Sequence, residues 1–201
     1  PKIVHEFKYF RKKAATKVFQ NFELMFCRFT SWYIARGTKV LDESDQELVK
    51  NFDNEVNESD SANLYNPTNI KAWRTWAQFL GIGFVHNKIL VPNVYLRLKD
   101  VLEEGIPFSK NKKIMFGKFM DWLAEVCPEL DGGEIYEKNK GNIENESREI
   151  TFGLSNGLRL LHDQNVIQLN LESDAPKVWR LFRNENHEIL NRVSVIKFRE
   201  D

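Results

Sequence analysis

The sequence has few of the residues that define several common classes of protein. Its 201 residues include only two cysteines, Cys27 and Cys127. Two cysteines cannot form a disulfide framework or a cysteine-rich zinc module, so we expect two reduced thiols packed as small hydrophobes. No apolar run approaches the roughly 18 residues that cross a bilayer, and no secretory signal pattern is present. We therefore expect a cytoplasmic protein with no membrane partner.

Net charge is also lacking, because 29 Lys plus Arg balance 29 Asp plus Glu. The balance varies strongly along the chain. Residues 1–40 hold nine basic and two acidic side chains, and residues 41–66 hold one basic and eight acidic. Residues 67–120 are basic again and residues 121–150 acidic. Such asymmetry indicates either an anion-binding face or segments that neutralise each other in the fold.

Metal and phosphate motifs are missing as well. The four histidines show no metal-ligand spacing, no cysteine lies near a histidine, and there is no glycine-rich phosphate loop. We expect no metal and no cofactor.

One pattern resembles a catalytic motif. Gly153-Leu154-Ser155-Asn156-Gly157 has the spacing of a nucleophile elbow, and His162 and His187 follow it. That chemistry requires a strand leading into a strained turn, whereas the local pattern predicts a helix. We expect Ser155 to cap this helix and the protein not to be an enzyme, with a serine hydrolase using Ser155 as the weakest alternative.

The N-terminal part predicts two helices. Apolar residues at helical spacing predict a long helix from Glu6 to Arg36, with a break near Gln20-Asn21. Ser44-Asp45-Gln46-Glu47 is a capping-box pattern that predicts an acidic helix, followed by a loop at 57–66. The first helix carries a basic cluster of candidate phosphate contacts: Lys8, Arg11, Lys12, Lys13 and Lys17.

Residues 66–102 predict a helix, a hairpin and a second helix. Asn66-Pro67 signals helix entry, and Ile70, Trp73 and Ala77 share one helical face. We expect Trp73 and Trp76 to be core residues and not to stack on bases. After Gly81, two short apolar runs flank the turn sequence His86-Asn87-Lys88, and Pro92-Asn93 then opens a helix over 94–102. A helix followed by a short hairpin is the pattern of a winged helix.

The C-terminal part has a similar order. A helix is predicted over 109–127, then a polar linker or loop over 134–149. A helix from Ser155, a strand over 166–171, a returning strand over 178–182 and a third strand over 193–198 follow. The two helix–strand junctions are 81 residues apart, which indicates two related units.

These patterns predict an α+β, mostly helical fold with tandem winged-helix-like units and short β-wings. The predicted parts are a helical N-terminal segment over 1–64, a first winged-helix-like unit with its following helices over 65–133, the linker over 134–149, and a second winged-helix-like unit over 150–201.

A winged helix commonly places its second helix in the DNA major groove and its wing against the backbone or minor groove. The sequence pI of 7.4 is low for a strongly DNA-binding domain. The candidate DNA-binding residues are Lys71, Arg74, Gln78, Lys88, Asn156, Arg159, Lys177 and Arg180.

Three stretches resemble proteins of the DpdG family. They are 73–83 followed by Val91-Pro92, 128–133 after an aromatic-rich helix, and 154–161 followed by Asp174-Ala175. The resemblance spans roughly residues 65–198. DpdG proteins are encoded in bacterial gene clusters that insert deazaguanine bases into DNA and restrict foreign DNA. The resemblance implies a non-catalytic component of a phage-defence or restriction system, and it supplies no catalytic residues.

Two functions therefore remain open from the sequence. In the first, the protein binds double-stranded DNA or docks with other proteins of the same defence complex. In the second, it is purely a protein–protein adaptor that bridges an ATPase or helicase and a nuclease. An apolar or acidic face on the predicted recognition helices would favour a protein partner, and a shared positive face would favour nucleic acid.

Overall fold

The computed structural model describes residues 21–56, 65–143, 148–183 and 191–199. About half of these residues are helical and the strands are short, which confirms the predicted α+β class. The described helices are α1 (Asn21–Ala35), α2 (Asp45–Val56), α3 (Pro67–Phe79), α4 (Tyr95–Glu104), α5 (Phe116–Val126), α6 (Glu134–Asn139) and α7 (Phe152–Asp163), with a 3-10 helix at Gly37–Leu41. The strands are β1 (Gly83–His86), β2 (Ile89–Pro92), β3 (Lys113–Met115), β4 (Ile167–Asn170), β5 (Trp179–Arg180), β6 (Arg192–Val193) and β7 (Val195–Phe198).

The strands form three small antiparallel sheets. β1 pairs with β2 in a hairpin, and β5 pairs with β6. The third sheet has the order β3-β7-β4, so the last strand of the chain lies at its centre.

The unit formed by α3 and the β1–β2 hairpin confirms its sequence prediction. The Asn66 side chain accepts a hydrogen bond from the Asn69 amide and the Asn69 side chain accepts one from the Asn66 amide, each at 3.0 Å. This reciprocal pair satisfies two backbone donors at the start of the helix. The hairpin turns at Asn87 and Lys88, whose φ angles of 48° and 67° suit a tight turn between twisted strands.

The start of α2 is also as predicted. The amide of Ser44 donates to the Glu47 carboxylate at 2.8 Å, and the Glu47 amide donates to the Ser44 hydroxyl at 3.3 Å. The Ser44 amide and the Ser44 hydroxyl both donate to the Glu47 carboxylate, and these two hydrogen bonds hold the pKa of Glu47 below its ordinary value. The capping box therefore fixes the first residue of α2 locally.

The core of the N-terminal half is built on aromatic rings around Phe29 of α1. Its ring stacks on Tyr65 at 4.7 Å and meets the edge of Trp73 at the same centroid distance. The indole nitrogen of Trp73 donates to the Thr30 hydroxyl at 2.8 Å, and the Tyr33 hydroxyl donates to the Leu90 carbonyl at 2.8 Å. The indole nitrogen of Trp73 and the hydroxyl of Tyr33 therefore each have a hydrogen-bond partner. These contacts join α1, α3 and the hairpin in one core.

The predicted wing of the second unit is wrong. The strand over 178–182 does not return to β4, because β4 pairs with β7 and β5 pairs with β6. Val195, Ile196 and Phe198 of β7 are all buried. The strand with the most apolar side chains therefore takes the centre of the sheet, where both of its edges are paired.

The predicted role of Ser155 as a helix cap is also wrong, since α7 begins at Phe152. Thr151, the residue before this helix, is held by a remote residue. The Asp131 carboxylate accepts hydrogen bonds from the Thr151 amide at 2.7 Å and the Thr151 hydroxyl at 2.8 Å. Burial raises the pKa of Asp131 to about 6, although both hydrogen bonds act in the opposite direction.

Two further boundaries differ from the sequence prediction. The helix expected from Ser109 begins at Phe116, because Lys113–Met115 pairs with β7 as a strand. Part of the expected polar loop over 134–149 is helix α6, which packs against α1, and the Arg28 Nε atom donates to the Asn139 side chain at 3.0 Å. Packing on α1 stabilises a helix that its polar sequence does not predict. Of the long first helix, only Asn21–Ala35 falls within the described residues.

Candidate interaction surfaces

The outward side of α3 and the adjoining hairpin form the first candidate surface. Ile70, Trp73 and Ala77 of α3 are buried. Apart from Arg74, the residues between them are exposed, as expected for the outer side of a helix. We call the following exposed residues the α3–hairpin face: Lys71, Thr75, Trp76, Gln78, Phe79, Phe84, Val85, His86, Lys88 and Leu96.

Large apolar side chains dominate the α3–hairpin face. Trp76 is 47% exposed, Phe79 45%, Phe84 50% and Leu96 54%. The rings of Trp76 and Phe79 meet edge to face at 5.9 Å. Leu96 is adjacent to the end of α3, since a Cβ built on Gly81 would lie 2.8 Å from the Leu96 Cβ. Large exposed apolar side chains of this kind mark interaction sites on soluble proteins.

Trp76 differs from Trp73 in its exposure. Sequence reasoning placed both Trp73 and Trp76 in the core, but only Trp73 is buried. The two lie three positions apart, and the described α3 presents Trp76 beside Phe79 on the outside. Both positions fit a helical period, so the pattern alone could not separate the buried tryptophan from the exposed one.

The charge of this face is weakly positive. Between Pro67 and Val94 the sequence contains no Asp or Glu. Lys71 and Lys88 are exposed, as is Gln78. Arg74 is mostly buried and forms an ion pair with Asp45 of α2. Of the candidate DNA contacts in this unit, Lys71, Gln78 and Lys88 are exposed, and Arg74 serves the packing of α3 on α2.

The corresponding helix of the second unit, α7, lies inside the fold. It packs on α4 and β2, and a Cβ built on Gly153 would lie 2.9 Å from the Pro92 Cβ. A Cβ on Gly157 would lie 2.9 Å from the backbone nitrogen of Tyr95. The two glycines of the Gly-x-Ser-x-Gly pattern therefore allow the close approach of two elements.

The polar residues of α7 are engaged within the fold. The Ser155 hydroxyl is fully buried, donates to the Ile150 carbonyl at 3.3 Å and accepts from the Phe182 amide at 2.8 Å. Arg159 is 3% exposed and donates from one guanidinium nitrogen to the Phe182 carbonyl at 2.6 Å. The Asn156 amide donates to the Pro92 carbonyl at 3.4 Å. Each of these contacts holds one part of the fold against another.

The remaining candidates are placed as follows. Lys177 and Arg180 are exposed at the start of β5 and are not part of the α3–hairpin face. Lys8, Arg11, Lys12, Lys13 and Lys17 lie outside the described residues. The grouping of Arg180 with other arginines near β5 and β6 was missed by sequence reasoning, since the pairing of these strands is not a local feature.

The described residues contain no group of three or more His, Cys, Asp or Glu placed to hold a metal ion. Within the same ranges, no helix combines the length and apolar character needed to span a membrane.

Comparison with known proteins gives one match. The model of the DpdG-like family matches residues 18–175, a range that includes α1 to α7 and the α3–hairpin face. No curated protein and no solved structure matches the chain. Since the matched range covers more than half of the sequence, the chain belongs to the DpdG-like family.

Proposed function

We propose that this chain is a non-catalytic docking subunit that binds a partner protein through the α3–hairpin face. Membership in the DpdG-like family suggests involvement in a deazaguanine DNA-modification system. The observation that carries the docking role is the set of exposed apolar side chains on this face, led by Trp76, Phe79 and Phe84. Aromatic residues, tryptophan above all, supply much of the binding energy at protein interfaces.

The strand order supports a winged-helix reading of both units. In the second unit the order along the chain is α4, β3, α5, α6, α7, β4, β5, β6 and β7, and the first strand β3 pairs with the last strand β7. A winged helix has an arrangement of helix, strand, two helices and two further strands, and this unit would be one with α6 and the β5–β6 pair added. In the first unit α1, α2, α3, β1 and β2 follow the same order, and the 3-10 helix Gly37–Leu41 contacts β2 where a first strand would pair.

In this reading α3 is the recognition helix of the first unit, and its surface chemistry favours protein over DNA. A helix that reads DNA presents mainly Arg, Lys, Asn and Gln to base edges and phosphates. α3 presents Lys71 and Gln78 beside two exposed aromatic rings, and Arg74 is paired with Asp45. An apolar protein surface that covers these rings removes them from water. A polyanion cannot remove them from water equally well.

The same face indicates the chemistry of the partner. It lacks acidic residues between Pro67 and Val94 and carries the exposed cations Lys71 and Lys88. A partner segment with an apolar stripe and acidic residues at its rim would complement it, with the apolar contacts giving affinity and the charges giving orientation.

The absence of catalysis is part of the proposal. The Ser155 hydroxyl, the nucleophile of the alternative hydrolase reading, is fully buried and hydrogen bonded to the Ile150 and Phe182 backbones. The Nδ1 atom of His162 accepts a hydrogen bond from the Leu169 amide at 3.0 Å, so it supports β4. Neither group is arranged to activate the other.

Binding to proteins of the same gene cluster tests the proposal. We expect the double variant Trp76→Ala, Phe79→Ala to weaken partner binding about 30-fold or more, after nuclease treatment and at high salt. The matched control is Met115→Ala, Leu171→Ala, which removes two exposed apolar side chains elsewhere. Full retention of binding by the first variant, or an equal loss in the control, would contradict the proposal.

A further inference from the structure

A groove of about 480 Å³ lies beside β5 and β6, remote in the chain from the α3–hairpin face. Its lining residues are Glu149, Ile150, Arg180, Leu181, Phe182, Arg183, Asn191 and Arg192. Three of these are arginines and one is an acid, so the groove carries a positive excess. All three arginines are exposed.

The register of β5 and β6 places two like charges opposite each other. Arg180 pairs with Arg192 across the antiparallel strands. Like charges at directly opposed positions destabilise a sheet. Glu149 lies 3.6 Å from Arg180 and neutralises part of this charge, and both side chains are about half exposed, so solvent screens the pair. An external anion between the two strands would lower the remaining repulsion.

The other two arginines are available to such an anion. Neither Arg183 nor Arg192 forms an ion pair with any residue in the described ranges. A planar guanidinium matches a phosphate through two parallel hydrogen bonds, which is the reason that arginine prevails in phosphate recognition. Several guanidinium groups in one groove therefore suit a ligand with repeated phosphates.

The backbone that carries these arginines is held from beneath by α7. Arg159 donates to the Phe182 carbonyl at 2.6 Å and to the Asn191 side chain at 3.1 Å, which links the two walls of the groove. The Phe182 amide donates to the Ser155 hydroxyl at 2.8 Å. Ser155 and Arg159 are thus positioning residues, and the groove is fixed before a ligand arrives.

The exposed ring of Phe182 indicates which class of polyanion suits the groove. Its ring is 39% exposed within the groove and meets Phe152 edge to face at 5.2 Å. Nucleic acids combine phosphates with flat sugar and base surfaces that pack on aromatic rings, whereas acidic peptides offer carboxylates alone. We propose that this groove binds the phosphodiester backbone of a nucleic acid, with Arg180, Arg183 and Arg192 as the phosphate contacts.

A salt titration of the full chain tests this proposal by fluorescence anisotropy with labelled duplex DNA and with a labelled single strand. We expect the variant Arg180→Gln, Arg183→Gln, Arg192→Gln to bind about tenfold more weakly or worse at low salt. Its slope of log affinity against log salt should fall by about two to three, as expected for three lost phosphate contacts. The control Lys39→Gln, Lys50→Gln, Lys112→Gln makes the same change in net charge outside the groove.

If only the groove variant loses binding, to duplex DNA or to the single strand, the result supports the proposal. The absence of any DNA binding by the unmodified chain at low salt would overturn it. So would an equal loss in the control, or inorganic phosphate or polyglutamate binding the groove as tightly as DNA. We expect the groove variant to unfold at the same temperature as the parent or higher, because it removes the repulsion between positions 180 and 192. The single variant Arg192→Gln provides a second, milder test.

Discussion

Helices α3 and α7, which correspond to each other in the two units predicted from the sequence, have opposite environments in the structure. α3 has one buried side and an outer side with Trp76 and Phe79 exposed, whereas seven of the residues of α7 are buried, from Gly153 to Leu161. In α3 the outer positions are large, and in α7 Gly153 and Gly157 let α4 and β2 approach closely. Two helices that are each followed by a strand therefore need not present similar surfaces, because α7 is covered by α4 and β2 whereas the outer side of α3 is exposed.

The largest expected effect separates the two sides of α3. Trp73→Ala should lower the free energy of unfolding by about 4 kcal/mol, because it leaves a cavity beside Phe29 and removes the hydrogen bond to Thr30. Trp76→Ala should change it by no more than about 0.5 kcal/mol, since the side chain is exposed. Denaturant unfolding of both variants measures the difference, and equal losses would contradict the assignment of inner and outer sides.

The second expected effect concerns the glycines of α7. Gly157→Ala should destabilise the protein by about 2 kcal/mol, because the new methyl would lie 2.9 Å from the Tyr95 backbone nitrogen. The matched control is Gly117→Ala in α5, where the nearest atom to the new methyl lies 3.8 Å away. There the better helix propensity of alanine should add about 0.5 kcal/mol. Thermal unfolding in which both changes stabilise the protein would show that α7 is not closely packed.

Local signals explain which parts of the fold could be predicted. The Ser44–Glu47 box, the entry to α3 at Asn66 and the turn at Asn87-Lys88 are each set by residues within a few positions of one another. The start of α7 depends on Asp131, 20 residues away, and the partner of β4 is the last strand. Sequence periodicity carries no information on such long-range pairings.

The candidate site was predicted only in part for the same reason. Lys71, Gln78 and Lys88, which the sequence analysis names as DNA contacts, are exposed on α3 and the hairpin, and their role stays a prediction. The exposure of Trp76 and Phe79 was not predicted, since an aromatic residue at helical spacing fits a core position equally well. The burial of Arg159 follows from the packing of α7 and from its bonds to Phe182 and Asn191, which no local pattern shows.

The third expected effect concerns the remote cap of α7 and has a pH dependence. Burial raises the pKa of Asp131 to about 6 in the folded protein, against about 4 in an unfolded chain. The folded state therefore binds the proton more tightly between these values. The contribution of Asp131 to stability is present below about pH 4 and is lost as the pH rises towards 6, a change on the order of 2 kcal/mol.

The variant Asp131→Asn isolates this effect, since an amide can accept from the Thr151 amide and donate to the Thr151 hydroxyl without titrating. As the pH rises from 4 to 7, the free energy of unfolding of the parent should fall relative to that of the variant. Denaturant titrations at several pH values measure it. A difference that does not vary with pH would mean that the Asp131 carboxyl keeps an ordinary pKa inside the fold.

Site-specific photo-crosslinking tests the contrast between α3 and α7 most directly. A photoreactive amino acid in place of Gln78 on α3, or in place of Asp163 at the exposed end of α7, probes the two helices in the presence of the proteins of the same gene cluster. We predict strong crosslinks to a partner protein from position 78 and none from position 163. Crosslinks from position 163 alone, or crosslinks from position 78 to DNA and not to protein, would contradict the docking role of the α3–hairpin face.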